Sequence, residues 1–340
     1  MKKLTLLIAI ISLTTLSASL PIEVSAKTKQ KVQVETNSKP EAAASGAKQD
    51  IAYLLTVSAK GDINTVQAML DSGVNPNTKD TDDVTALMYA ARKDQSIVAQ
   101  ALLNKGADVN AVDKADWTAL MYAAKKGYLA TAKVLLEKGA NPKMRDASGW
   151  SAYGMAATSG FSELVNLMLS HGIDANARSD DGKTVLIYAA KSGDVATINT
   201  LLAHGADANA KDRSGATALM YAARAGFAPA IEAILDKGAI IDDVDNSEWT
   251  ALTWAVKKAK IEAARTLLRS GANPNHKDAE GTLLLQLATT SKSAAMVDLL
   301  IKSGANVKAK DQYGLTALVY ALKGKDAEII KLIKDAGGNY

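Results

Sequence analysis

The 340-residue chain has no cysteine, three histidines and a formal net charge of +4. Without cysteine it can form no disulfide, no thiol-dependent active site and no lipoprotein anchor. The small excess of positive charge does not predict nucleic-acid binding. Length alone predicts two domains, but a repeat that fills most of the chain overrides that expectation.

The first 26 residues have the pattern of a secretory signal peptide. A basic start, Met1-Lys2-Lys3, precedes an apolar run from Leu4 to Leu16, and Val24-Ser25-Ala26 is a small-residue cleavage site. The apolar run is too short for a transmembrane helix. We predict cleavage after Ala26, no stable membrane anchor, and a periplasmic location, with release into the medium as the second choice.

Residues 27–50 are polar, rich in Lys and Ala, and without periodicity, so they are predicted to be a disordered leader. Residues 51–340 follow a fixed period. Glycine recurs every 33 residues at nine positions without a slip in register: Gly73, Gly106, Gly139, Gly172, Gly205, Gly238, Gly271, Gly304 and Gly337. Such a period predicts a stack of identical supersecondary units rather than a globular domain.

Each unit contains the signals of two short helices. In the third unit, residues 118–124 read as a first helix with Thr118 at its N-cap, and Gly127 turns the chain. Residues 129–136 read as a second helix, which Gly139 closes in a conformation with positive φ. The rest of the unit is rich in Asn, Asp and Gly and predicts turns and a projecting loop.

The segments Thr-Ala-Leu-Met-Tyr-Ala-Ala (residues 118–124) and Gly-Ala-Asp-Val-Asn-Ala (residues 106–111) resemble the ankyrin repeat. The resemblance implies an all-α repeat solenoid with β-hairpin fingers, here nine stacked 33-residue repeats of which the first and last act as caps. It also implies that the fingers and first helices line a concave groove.

The chain departs from the family pattern in two respects. Ala replaces the Pro of the family's Thr-Pro-Leu-His box, and Met, Ile, Thr or Val replaces its His, so packing is expected to hold the repeats together. The fourth repeat, residues 151–183, has Tyr153 in a Leu position and Gly154 inside the helix. Glycine there costs about 1 kcal/mol relative to Ala, which predicts a soft point in the stack.

No pattern in the sequence predicts catalysis, a metal site or a cofactor. His171, His204 and His276 have no second ligand at metal-binding spacing. The segment Gly182-Lys183-Thr184 lacks the earlier glycine of a phosphate-binding loop. The acidic segment 242–245 lacks the glycine of a calcium loop, because Glu248 occupies that position. We therefore expect a protein that is not an enzyme.

Aromatic and basic residues recur at positions that the repeat does not require, and in the family these positions face the groove. Three tryptophans precede the helix-capping hydroxyl, and aromatic residues recur inside the first helix with cations three and four residues later. The predicted partner-binding residues are Trp117, Trp150, Trp249, Trp254, Tyr89, Arg92, Lys93, Tyr122, Lys125, Lys126, Tyr188, Lys191, Tyr221, Arg224, Lys257 and Lys258. The tyrosines could equally pack between repeats.

Three classes of function compete. A scaffold that binds an acidic, partly apolar protein partner fits the aromatic and basic residues best, with a stress-related adaptor and an immunity protein both open. Binding of glycan or peptidoglycan to the Trp and Tyr faces is the alternative. An enzyme with an unrecognised site has no residues to support it. We expect the protein to be a monomer that does not bind nucleic acid.

The signal peptide yields the first prediction. Because the small-residue site ends at Ala26, the exported protein should begin at Lys27. N-terminal sequencing of protein from a periplasmic or secreted fraction measures this directly. Protein that starts at Met1 in the cytosol would contradict the predicted location.

Overall fold

The computed structural model describes the backbone of residues 40–339 and the side chains of residues 49–339, so the predicted signal peptide and residues 27–39 lie outside it. Eighteen helices in the described part form nine consecutive pairs. The first helices of the pairs are α1 Pro40–Lys60, α3 Ala86–Ala91, α5 Ala119–Lys126, α7 Ala152–Thr158, α9 Val185–Ser192, α11 Ala218–Ala225, α13 Ala251–Lys257, α15 Leu284–Thr290 and α17 Ala317–Gly324. The second helices are α2 Ile63–Asp71, α4 Ser96–Asn104, α6 Leu129–Glu137, α8 Ser162–Ser170, α10 Val195–Ala203, α12 Ala228–Leu235, α14 Ile261–Arg269, α16 Ala294–Lys302 and α18 Ala327–Asp335.

Helix α1 corrects one boundary of the sequence analysis. Residues 40–50, which were assigned to a disordered leader, are helical from Pro40 onwards. Proline is well suited to the first position of a helix, where no backbone N–H is needed. The alanines that follow have the highest helix propensity, which outweighs the polar character of the segment.

The start and stop signals predicted for the first helix of the third repeat are confirmed. The Thr118 hydroxyl accepts a hydrogen bond from the Met121 backbone N–H at 3.2 Å, and Gly127 ends α5 with a φ of 73°. Leu283 breaks the pattern because it has no hydroxyl. Among the residues that the structure describes, no side chain caps α15 in the way that Thr118 caps α5; instead the Gln286 amide oxygen accepts from the Leu283 N–H at 3.0 Å, and its amide nitrogen donates to the Leu315 carbonyl at 2.8 Å.

The core is a continuous apolar layer between neighbouring pairs. Alanines of the first helices, such as Ala90 and Ala123, are fully buried, and so are leucines such as Leu87 and Leu120 at 1% exposure. Small side chains allow successive first helices to lie close together. Each pair thus buries its apolar face mainly against its neighbours, as the repeat predicts.

Packing is not the whole of the contact between repeats, which corrects an expectation of the sequence analysis. An asparagine four residues after the repeat glycine bonds to the next repeat twice. The Asn77 amide donates to the Gly106 carbonyl at 2.9 Å and accepts from the Asp108 N–H at 2.7 Å. We call this set the asparagine ladder; its members are Asn77, Asn110, Asn176, Asn209 and Asn275. Lys143 stands in the equivalent position of the finger before α7; each finger is counted with the repeat whose first helix it precedes, so this is the finger of the fourth repeat.

The fingers are hairpin-shaped turns rather than the β-hairpins that the resemblance implied. In the described residues, four fingers carry a single antiparallel bridge each and none forms a strand: Lys79–Thr85, Arg145–Ser151, Arg178–Thr184 and Lys277–Leu283. The segment between the two arms is too short for further pairing. Each finger is instead held by hydrogen bonds inside the turn.

The finger turn requires a residue with positive φ, which several repeats supply as glycine. Gly215 and Gly281 have φ values of 77° and 71°, whereas Glu248 occupies the same position with a φ of 56°. A residue with a Cβ is disfavoured in this region by about 1–2 kcal/mol. The seventh finger therefore carries local backbone strain.

Replacement of Glu248 by Gly should raise the free energy of unfolding by about 1 kcal/mol, because glycine adopts positive φ without the steric penalty. Chemical denaturation of Glu248→Gly measures the gain. The matched control is Glu280→Gly, two residues after the first Asp of its finger and without positive φ. An equal gain in both variants would show that loss of the carboxylate, rather than relief of strain, is responsible.

Candidate partner-binding face

One aspartate in each of several fingers ties the finger to the first helix that follows it. In the sixth repeat, Asp212 Oδ1 accepts from the Ser214 and Ala216 backbone N–H groups at 2.8 and 3.0 Å. Asp212 Oδ2 accepts from the Tyr221 hydroxyl at 2.8 Å. We call this arrangement the aspartate latch. It recurs in the pairs Asp80–Tyr89, Asp113–Tyr122 and Asp311–Tyr320, and in Asp245–Trp254 through the indole N–H.

In the Asp212–Tyr221 latch, the pKa values of both partners are shifted in the directions that stabilise the hydrogen bond between them. Burial opposes ionisation of Asp212, but hydrogen bonds from Ser214, Tyr221 and the backbone outweigh burial and lower the pKa of its carboxyl group. Burial, and then the hydrogen bond to Asp212 and its negative charge, raise the pKa of Tyr221 to about 12. The tyrosines thus have a structural role, whatever they contact outside.

The latches place seven predicted residues around one hollow of about 540 Å³ between the second and third repeats. Its walls include Tyr89, Arg92, Lys93, Trp117, Tyr122, Lys125 and Lys126. The Trp117 and Tyr122 ring centroids are 4.9 Å apart, and the Arg92 guanidinium lies 5.1 Å from the Tyr122 ring. We call this the first hollow. None of the described residues that line it is acidic.

A second group forms around Trp150 and Tyr188, whose ring centroids are 5.2 Å apart. Trp117 and Trp249 contact the aromatic residue of their own repeat, five positions later. The fourth repeat has Met155 at that position, so Trp150 contacts the next repeat instead. Both rings line a cavity of about 320 Å³.

The third group joins the sixth and seventh repeats. The Arg224 guanidinium lies 4.6 Å from the Trp254 ring, whose centroid is 4.7 Å from that of Trp249. The Lys257 ammonium lies 6.0 Å from the Trp249 ring. Tyr221 lines the small hollow beside Arg224 and Trp254. These distances suit cation–π attraction, which holds the cations close to the rings.

Lys191 and Lys258 are exposed at the ends of their first helices and contribute to none of the three groups. All four tryptophans are half-buried rather than free at the surface. The predicted ladder of aromatic residues is therefore divided into three clusters. We use the name aromatic face for these clusters together.

The histidines and charged residues that could suggest metal binding or phosphate binding make contacts within the stack of repeats. His204 contacts the Asn166 side chain at 2.7 Å, and His276 contacts the Glu248 carbonyl at 2.6 Å. Lys183 pairs with Asp181, and Asp243 pairs with Lys211 at 2.7 Å. Within the described part of the chain, no group of three His, Cys, Asp or Glu residues is placed to hold a metal ion. No helix there is long and apolar enough to cross a membrane.

Two features escaped the sequence analysis although a signal for each was present. The latch aspartates also keep the 33-residue period, nine positions before the aromatic residue of the helix. The ladder asparagines keep the same period four positions after the repeat glycine. From sequence alone both sets are assigned to turns, because Asp and Asn are common in any turn.

The sequence and fold were compared with known proteins. The family model described as ankyrin repeats (3 copies) matches residues 54–146, 138–212, 197–278 and 270–340. The chain belongs to the ankyrin repeat family.

Among solved structures, 566 chains match this ankyrin repeat fold. The crystal structure of the human ASB11 ankyrin repeat domain has a TM-score of 0.58 and 25% sequence identity, over 65% of this chain and 98% of that chain. No curated protein sequence matches the chain. Ankyrin repeats generally mediate protein–protein interactions, which agrees with the class of function expected from the sequence.

Replacement of Tyr221 by Phe should lower the free energy of unfolding at pH 7 by about 1 kcal/mol, because one hydrogen bond to a carboxylate is lost. This difference in stability should shrink above pH ~10, because tyrosine ionises there in the unfolded chain, whereas Tyr221 in the folded protein, with a pKa of about 12, stays protonated. It should also shrink below pH ~4, as Asp212, whose pKa is lowered in the fold, becomes protonated.

Urea denaturation across this pH range measures the effect. The matched control is Tyr313→Phe, because Tyr313 is 73% exposed. A pH-independent difference between the Tyr221 variant and the unaltered protein would show that packing, not the latch, makes the contribution.

Proposed function

We propose that the protein is exported and binds an acidic, partly apolar segment of a protein partner on the aromatic face. The observation that carries the proposal is the first hollow, where four cations surround three aromatic rings without an acidic neighbour in the wall. An acidic segment gains from the cations, and its apolar side chains gain from burial against Trp117, Tyr89 and Tyr122.

The aspartate latches explain why the first hollow is positive although the fingers are rich in acid. Asp80 and Asp113 accept hydrogen bonds from the hydroxyls of Tyr89 and Tyr122, so their carboxylates lie at the hydroxyl ends of the rings. Arg92, Lys93, Lys125 and Lys126 are exposed at the other end of the first helices. The rings therefore separate the acidic from the basic side chains, which leaves a positive opening.

Membership of the ankyrin repeat family supports protein binding as the class of function. Export, a periplasmic or extracellular location and a monomeric state are parts of the proposal that rest on the sequence. A stress-related adaptor and an immunity protein are both compatible with this surface. Genes that neighbour the coding sequence would separate the two, because an immunity protein is encoded beside its toxin.

Glycan binding is less well supported by the geometry. A sugar stacks on an open ring face, but the Arg92 guanidinium lies 5.1 and 5.7 Å from the Tyr122 and Tyr89 rings. The Trp117 ring contacts the Tyr122 ring at an interplanar angle of 50°. The ring faces of the first hollow are thus partly occupied by side chains of the protein itself.

Trp117→Ala should weaken binding of a partner by about 2 kcal/mol, roughly 30-fold, when affinity is counted per folded molecule. A partner captured from periplasmic extract by the mature protein serves as the ligand in the titration. A double variant, Lys125→Glu with Lys126→Glu, should weaken binding most at low salt, because screening reduces the loss at high salt.

The matched control is the double variant Lys237→Glu with Arg269→Glu, which changes the net charge equally at two exposed cations at the ends of second helices α12 and α14. Equal weakening by the control and by the variant at Lys125 and Lys126 would show an effect of net charge alone. Binding to purified peptidoglycan that Trp117→Ala abolishes, with no protein captured, would favour the glycan alternative.

A further inference from the structure

The fourth repeat departs from its neighbours at four positions that lie close together. Tyr153 replaces the usual leucine, Gly154 replaces the methionine of other repeats, Met155 replaces the latch tyrosine, and Lys143 replaces the ladder asparagine. Three of the four, Lys143, Tyr153 and Gly154, line the cavity of about 320 Å³ between the fourth and fifth repeats. Their common location distinguishes them from scattered drift.

Gly154 supplies space rather than backbone freedom. It lies inside α7, and its φ is not in the positive range that favours glycine. A Cβ at this position would have ordinary contacts, the nearest at 3.4 Å to the Trp150 ring. At the equivalent positions Met88 and Met121 are fully buried, and their sulfur atoms accept from the Thr85 and Thr118 backbone N–H groups at 3.4 and 3.5 Å. The missing side chain therefore leaves the cavity open.

The Tyr153 hydroxyl is a polar group without a partner. The residue is 2% exposed, and its Oη is buried with no hydrogen-bond partner among the described residues. Buried polar atoms in native proteins are nearly always bonded, so an unpaired one calls for a specific explanation. Although Tyr153 lines the cavity, its Oη has less than 1 Å² of accessible surface, so a ligand in the cavity does not reach it and the unpaired hydroxyl is a cost to the stability of this repeat.

The rim of the cavity is positive. Lys143, Arg145, Arg178 and Lys183 line it, against one carboxylate, that of Asp174. Arg145 pairs with Asp180, and Lys183 pairs with Asp181. Lys143 and Arg178 have no ion pair among the described residues, and the Arg178 guanidinium donates to the neutral carbonyls of Gly182 and Lys211 at 2.8 and 2.6 Å. Two positive charges thus remain for a ligand.

The other walls are apolar or aromatic. Trp150 and Tyr188 form one side, and Ile173 and Val185 contribute aliphatic surface. A volume of about 320 Å³ suits a molecule with one ring. We propose that this cavity binds a small aromatic carboxylate, with its ring against Trp150 and Tyr188 and its carboxylate towards Lys143 and Arg178. This site shares Trp150 and Tyr188 with the aromatic face but is separate from the first hollow, which carries the proposed function.

The probe is 3-(4-hydroxyphenyl)propionate, compared with its neutral amide in calorimetric titrations of the mature protein at low salt. The acid should bind saturably and at least tenfold more tightly than the amide. A peptide that ends in tyrosine with a free carboxylate has the same chemistry. Tighter binding of the free acid would identify a free small molecule as the source, and tighter binding of the peptide would identify a chain terminus.

Two variants, Gly154→Met and Lys143→Asn, restore the side chain that other repeats have, so each should keep or raise the melting temperature while it weakens binding. Gly154→Met fills the cavity and should reduce the affinity for the acid at least tenfold. Tyr153→Phe removes a hydroxyl that the cavity does not reach and should leave the affinity unchanged. Lys143→Asn should reduce binding of the acid but leave that of the amide unchanged.

The matched control is Thr253→Met, the same position in the seventh repeat beside Trp249, and it should leave probe binding unchanged. Unchanged affinity in Gly154→Met would overturn the proposal, because the ligand would then lie elsewhere. Absence of saturable binding of the acid, the amide and the peptide to the unaltered protein would also overturn it.

Discussion

Contact between neighbouring helix pairs is the constraint on which this molecule depends. Its helices after α1 are only six to nine residues long, which is too short for stability in isolation. Each pair can bury its apolar side chains only against the pairs on either side. The fully buried alanines and leucines therefore have little freedom to vary, whereas fingers and helix ends can change from repeat to repeat without disturbing the stack.

The aspartate latch connects this fixed interior to the variable surface. One carboxylate closes the finger turn and orients the aromatic ring that follows, so the same ring contributes to stability and to the aromatic face. The hydroxyls of the latch tyrosines are thereby engaged within the repeat, while their rings and the neighbouring cations line the hollow in which the partner is proposed to bind.

Much of the fold followed from the sequence because its signals are local. Thr118 as an N-cap, Gly127 as a left-handed turn and the fixed 33-residue register need no knowledge of distant contacts. What could not be foreseen depends on pairs of residues in different repeats. Trp150 contacts Tyr188 because Met155 leaves it without a ring in its own repeat. Gly154 reads as a weak helix residue in sequence, and only the surrounding walls show that its absent side chain leaves a cavity.

The asparagine ladder links deamidation of the protein to the contacts between its repeats. Each ladder amide donates to a glycine carbonyl and accepts a backbone N–H, a combination that a carboxylate cannot reproduce. Asp242 occupies one ladder position: it accepts from the Asn273 N–H at 3.1 Å, but it has no proton for the Gly271 carbonyl. Hydrolysis of a ladder asparagine to aspartate would therefore replace its hydrogen bond to the glycine carbonyl by repulsion between a carboxylate and that carbonyl oxygen. The effect would be confined to the contact between two neighbouring repeats, which each such change would weaken.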